Sequence, residues 1–203
     1  MSKEHHVIYV PGLHDQHPIN KNLTRFVPLF WKPYGFQGHI VAPHWEEGKE
    51  FAPKLKRILA KIDELADQGH IVSLIGQSAG GSAVMNAYSE RRNMINGVVD
   101  VTGRLREGEN VSPSLEVAAR SSPAFAESVL LFERKNEPTL SNQDRKKIMT
   151  IRPFWDEVVP ATTVPLEGAT NLVAPIPEHS IGGIAMCTIF AKRILYFLNN
   201  LAY

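Results

Sequence analysis

The serine of Gly76-Gln77-Ser78-Ala79-Gly80 stands where an apolar run at 71–75 gives way to a stretch of helical period. In a strand-to-helix turn, G-x-S-x-G spacing pushes the central hydroxyl outward, and the flanking glycines, Gly76 and Gly80, leave room for backbone segments too close for side chains. The bare pattern also arises in ordinary glycine turns; the strand before it and the helix after it favour a nucleophile. A serine hydroxyl attacks a carbonyl only when a base takes its proton and an acid steadies the base. His179, in Pro177-Glu178-His179-Ser180, is the only histidine downstream of Ser78. Asp156, 23 residues before His179, is the first candidate for the acid, ahead of Asp100 and then Glu157.

Other polar residues carry weaker suggestions. His14, Asp15 and His17 contain ligand types for zinc, but no further well-spaced ligand accompanies them, so no metal is expected. Trp45 and Trp155 both fall just past strand candidates, where they either wall a pocket or take a core or surface place. Cys187, the single cysteine, lies in an apolar helical pattern and reads as a small buried hydrophobe.

The elements that must position these residues alternate in type. Strands are expected at 7–10, 39–42, 71–75, 98–101, 147–152 and 172–174, the first stopped by Pro11-Gly12. Helical period marks 49–67, 79–91, 114–134 and the apolar stretch 181–201, with a moderately amphipathic segment at 19–34 interrupted by Pro28 and Pro33. Strands apolar on both faces, separated by helices, predict a mostly parallel sheet covered on each side. In such sheets ligands gather at the carboxyl ends of the strands, where Ser78 and Asp156 fall.

Composition narrows the partners. The 203 residues are 43% hydrophobic and 21% charged, with 22 basic against 21 acidic side chains, a formal charge of +1. That balance argues against disorder and gives no basic patch for nucleic acid beyond Asp144-Arg145-Lys146-Lys147, which reads as a solvated helix face. The first ten residues lack the apolar stretch of a signal peptide. The most apolar run, 181–191, is shorter than the roughly 18 residues of a membrane span. A cytoplasmic protein without a membrane span is the expectation.

Gly76-Gln77-Ser78-Ala79-Gly80, Asp156 with its Val158-Val159-Pro160 tail, and His179 together resemble the α/β-hydrolase superfamily, over residues 5–201. The resemblance implies an α/β fold: a three-layer α/β/α sandwich around a mostly parallel sheet of about six strands, in one domain spanning 1–203. It also implies the order serine, acid, histidine, and hence hydrolysis of a carboxylic ester or related acyl bond of a small molecule through Ser78, His179 and Asp156, with an acyl-enzyme and no cofactor. The oxyanion donors it implies are the backbone N–H groups of Ala79 and Leu13. The loop at Leu13 reads Pro11-Gly12-Leu13 where many relatives carry His-Gly-x, which leaves the backbone donor in place.

Two departures suggest a compact member: the chain starts at the strand that usually comes third, and 102–146 is too short for a large cap. Within the resemblance, acyl transfer, thioester, amide or C–C cleavage, and a non-catalytic binding protein stay open, as does the oligomeric state.

Overall fold

The computed structural model describes residues 3–201; the ends of the expected 1–203 unit, with the first two residues of the N-terminal stretch, lie outside the described residues. Its elements, in chain order, are β1 (His5–Val10), α1 (Pro18–Thr24), β2 (Phe36–Ile40), α2 (Ala52–Asp67), β3 (Ile71–Gln77), α3 (Ala79–Glu90) and β4 (Ile95–Val101). There follow α4 (Leu115–Ala118), α5 (Pro123–Leu131), α6 (Asn142–Lys146), β5 (Ile148–Trp155), β6 (Thr170–Pro177), α7 (Ser180–Cys187) and α8 (Lys192–Asn200).

The strands form one sheet in the order β2-β1-β3-β4-β5-β6, with every neighbouring pair parallel. Alternation along each strand sends side chains to opposite faces. Ile8, Val10 and Leu74 point into a cluster with Ile58 and Ile62 of α2, Val84 and Tyr88 of α3, and Phe125 and Val129 of α5. Val7, Tyr9, Ile75 and Val99 point the other way, against Met186 and Cys187 of α7 and Ile194, Leu195 and Leu198 of α8. The sheet is therefore covered on both sides, and its central strands β1, β3 and β4 are kept from water.

Behind β3, helix α3 is buried from Ala79 to Tyr88. Its polar side chains answer one another: the Ser82 and Ser128 hydroxyls lie 2.6 Å apart, and Asn86 donates to the carbonyls of Ser82 (2.9 Å) and Ser128 (2.8 Å). This satisfied network joins α3 to α5 without leaving a polar group stranded.

Several expected helices are broken. The 19–34 segment is helical only through α1; Pro28 and Pro33 then start two short 3₁₀ turns, Val27–Phe30 and Lys32–Tyr34. The 114–134 segment splits at Ser122, whose extended backbone (φ −150°) is what a residue before proline prefers. The 181–201 segment breaks between α7 and α8 with a bend of 50°. Among the described residues no single helix is long and apolar enough to cross a membrane. Within the 144–147 cluster, Asp144 closes a capping box with Ser141, and Arg145 donates to the carbonyls of Glu137 and Glu167, so that stretch is tied down rather than simply solvated.

The last of these breaks has a tertiary cause. Trp31, fully buried, donates its indole N–H to the Cys187 carbonyl at 2.8 Å. An unbroken helix would have used that carbonyl for the N–H of Ala191, which turns instead to Thr188 at 3.0 Å. Trp31→Phe, which leaves the carbonyl without a partner, should lower urea-unfolding stability by about 1–3 kcal/mol. Trp31→Ala should cost about 3–5 kcal/mol, because the cavity is added to the lost bond.

Candidate active site

The turn after β3 holds Ser78 at φ 54°, ψ −123°, a positive-φ conformation that side chains of L-residues rarely adopt. Two contacts over-determine it. A Cβ on Gly76 would meet the Gly80 carbonyl oxygen at 2.2 Å, and one on Gly80 would meet the Val10 carbonyl oxygen at 2.1 Å. Glycine is thus required at both positions, as the spacing predicts. The Ser78 N–H donates to the Val101 carbonyl at 2.8 Å, which fastens the corner to the end of β4.

That corner aims Ser78 Oγ at His179, whose Nε2 lies 2.8 Å away. On the far side of the ring, His179 Nδ1 is 2.9 Å from Asp156 Oδ2 and 3.1 Å from Oδ1. The histidine and aspartate side chains are 7% and 3% exposed, so water competes little for either bond. Burial alone would push the Asp156 carboxyl up. The His179 hydrogen bond and charge, with the N–H groups of Val159 and Val158 on Oδ1 (2.8 and 2.9 Å), outweigh it and hold the carboxyl below its ordinary value. The acid is therefore ionised and oriented by its own loop.

The neighbouring acids do something else. Glu157, a rival for the acid, accepts the backbone N–H of His179 (3.2 and 3.4 Å) and so holds the main chain rather than the ring. Glu178, itself at φ 76°, accepts the N–H groups of Ser180 (3.0 Å) and Ile181 (2.6 Å) at the start of α7, a favourable place for a negative charge. Sequence reasoning passed over both supports. An acidic residue just ahead of a helix was the only signal for the second.

Asp100, the other rival, does not reach His179. It is fully buried at the β4 end, its Oδ1 filling the space that a Cβ on Gly81 or on Gly103 would need, and neither oxygen makes a well-formed hydrogen bond. Burial raises its carboxyl well above the usual aspartate range, and the nearby Gly103 N–H opposes this only weakly.

The loop after β1 passes directly over the serine. A Cβ on Gly12 would lie 2.8 Å from Ser78 Cβ. The N–H groups of Leu13 and Ala79 take part in no hydrogen bond among the described residues. That loop is anchored from behind: Asp15 accepts the N–H groups of His44 (2.7 Å) and Trp45 (3.2 Å), and the Trp45 indole donates to the Pro11 carbonyl at 3.1 Å. Asp15 is thus spent on backbone, and it does not join His14 and His17 as a ligand set. Trp45 packs on Phe51 and Phe125 in the core, and Trp155 is 55% exposed, so neither lines the cleft.

The cleft above the serine has a volume of about 290 Å³, with Leu13, Gln77, Ser78, Val158, His179 and Ile184 on its walls. Asn20 and Thr24 of α1 also line it, and the same helix leaves Ile19 and Leu23 exposed. Gln77, the residue before Ser78, accepts the Tyr9 hydroxyl.

No protein-family profile matches the sequence, and no curated protein matches it in sequence. Solved structures are similar in shape. One of the metagenome-derived lipolytic enzymes LipS and LipT superposes with a TM-score of 0.67 at 14% identity, over 98% of this chain and 95% of that one. Est1E from Butyrivibrio proteoclasticus gives 0.63 at 13% identity, over 100% and 90% of the two chains. The pyrethroid hydrolase PytH gives 0.66 at 10% identity over the whole of both. With its six parallel strands and flanking helices, the chain has the α/β-hydrolase fold.

Burial favours the uncharged form of Asp100 in the folded protein, whereas in the unfolded chain it ionises above about pH 4. The native state therefore binds the extra proton, and the stabilisation, full below the unfolded pKa, is lost as pH rises toward the folded one. Asp100→Asn removes that linkage. Between about pH 5 and about pH 7, urea unfolding should show the variant gaining on wild type by up to about 1.4 kcal/mol per pH unit.

Proposed function

We propose that this protein is a serine hydrolase that cleaves a carboxylic ester or a related acyl bond. The reading rests on the hydrogen-bonded line from Ser78 Oγ through both nitrogens of His179 to Asp156. His179 takes the Ser78 proton as Oγ attacks the carbonyl, and Asp156 steadies the imidazolium that forms. The oxyanion lodges against the Leu13 and Ala79 N–H groups, the second at the positive end of α3. His179 then protonates the leaving oxygen, water attacks the acyl-serine by the same route, and Oγ recovers its proton.

The esterases and lipolytic enzymes among its structural neighbours support this class, and a thioesterase domain from the curacin pathway, at TM-score 0.59, keeps thioesters within it. The cleft volume of about 290 Å³ sits at the small end for ligand sites, which favours a compact acyl group.

A fluorophosphonate probe and a panel of p-nitrophenyl esters of increasing chain length test the reading. Wild type should label and turn over short esters; Ser78→Ala should not label and should lose activity on the order of 10⁴- to 10⁶-fold. Asp156→Asn should lose about 10⁴-fold in kcat, while Asp100→Asn stays within about threefold of wild type. Equal labelling of wild type and Ser78→Ala would remove the serine from its role. A wild type that neither labels nor turns over any ester would make this a binding protein on a hydrolase fold.

A further inference from the structure

At the opposite end of the sheet from Ser78, the strands begin among imidazoles. His5 and His6 open β1, His39 lies in β2, and His70 immediately precedes β3. The seven residues of β3 place this end roughly 20 Å from the nucleophile. His6 is buried, His39 and His70 are half-buried, and Glu4, one residue ahead of β1, is exposed. His5 turns away, its ring 2.8 Å from the Ser73 hydroxyl.

We propose that Glu4, His6 and His70 form a binding site for a divalent transition ion of the zinc class, with His39 orienting His6 from behind. One carboxylate oxygen and one nitrogen from each of two rings lie within 4.8 Å of one another. His6 Nε2 and Glu4 Oε2 are 3.3 Å apart. A tetrahedral zinc with bonds of about 2.0–2.1 Å to nitrogen and oxygen sets its ligand atoms roughly 3.3 Å from each other, so this pair already has the required spacing. His70 stacks on His6 with centroids 4.0 Å apart and planes at 19°; turning its ring about the side-chain bonds brings a nitrogen toward the same point.

The second nitrogen of His6 makes the case stronger. His6 Nδ1 is 2.8 Å from His39 Nε2. When Nδ1 carries the proton and donates it to His39, Nε2 is left with its lone pair facing Glu4 and His70. A ligating histidine commonly has its other nitrogen engaged in this way, which fixes tautomer and ring angle. The backbone also holds the parts together without an ion: the Ile71 N–H donates to the Glu4 carbonyl at 3.0 Å, which makes Glu4 and His70 neighbours through the ladder.

Two imidazoles and one carboxylate are ligands that zinc, cobalt and nickel accept, and they leave a fourth position for water. The charges facing the group from α2 are Lys61 and Glu64, paired with each other at 2.7 Å, so the lysine is largely answered before an ion arrives. The exposed side of Glu4 gives an entry path from solvent. An ion here would clamp the first residues of β1 to the start of β3, and this role is independent of any reaction at Ser78.

The test uses protein without a polyhistidine tag, stripped with chelator and then freed of it. Calorimetric titration with ZnCl₂ should show a single site, and Co²⁺ should give the visible bands of a tetrahedral nitrogen–oxygen site. Saturating Zn²⁺ should raise Tm by several degrees. Glu4→Gln and His70→Gln, both at accessible positions, should keep the metal-free Tm while weakening Zn²⁺ binding at least tenfold each. His179→Gln should leave that affinity unchanged, separating this site from the cleft. Absence of saturable binding at 100 µM Zn²⁺, or binding that survives both Glu4→Gln and His70→Gln, would overturn the proposal.

Discussion

The structure turns on the backbone at Ser78. A positive φ at a residue with a side chain costs on the order of 1–3 kcal/mol and persists only where the surroundings permit nothing else. Here β3 ends against α3 so closely that Gly76 touches Gly80, and α3 begins so close to β1 that Gly80 touches Val10. The N–H of Ser78 is taken by β4. Three parallel strands and one buried helix therefore meet at a single peptide. The hydroxyl is aimed by the core as a whole rather than by a loop of its own.

His179 is aimed differently. It stands just after the sheet's edge strand, β6, and relies on polar neighbours: Asp156 on the ring, Glu157 on its N–H, and Glu178 on the helix that follows. The two halves of the site thus draw on different physics, close packing for the serine and buried hydrogen bonds for the histidine. Asp100 shows how far the packing half dominates at β4. A carboxyl that could have served chemistry is instead enclosed beside Gly81 and Gly103, where burial disfavours its charge.

Most of the serine half was legible from residue types, because the corner has steric requirements that only glycine meets at Gly76 and Gly80. The alternation of strands and helices was legible too, since the central strands β1, β3 and β4 are apolar, largely β-branched runs buried on both faces; the edge strand β2, Phe36-Gln37-Gly38-His39-Ile40, carries no such run and sits ahead of the expected 39–42. Breaks caused by distant residues were not. Nothing between Ile181 and Leu201 announces an interruption; it follows from the indole of Trp31, some 150 positions earlier, reaching the Cys187 carbonyl. Pro123 and the Ser141-to-Asp144 capping box were local signals: the first split an expected helix, and the second starts the short helix of which the 144–147 cluster forms part. Glu157 and Glu178 act on backbone N–H groups, a role that leaves no periodic trace in a sequence.

Helix α1 stands apart from this tightly determined frame. It has no buried residue, yet Asn20 and Thr24 form part of the cleft wall. Its exposed positions, Ile19 and Leu23 among them, tolerate substitution with little effect on folding. The Ser78 corner is thus fixed by the whole core while one wall of the cleft beside it is not, so the shape of that cleft could be rewritten through seven residues while the interior stays as it is.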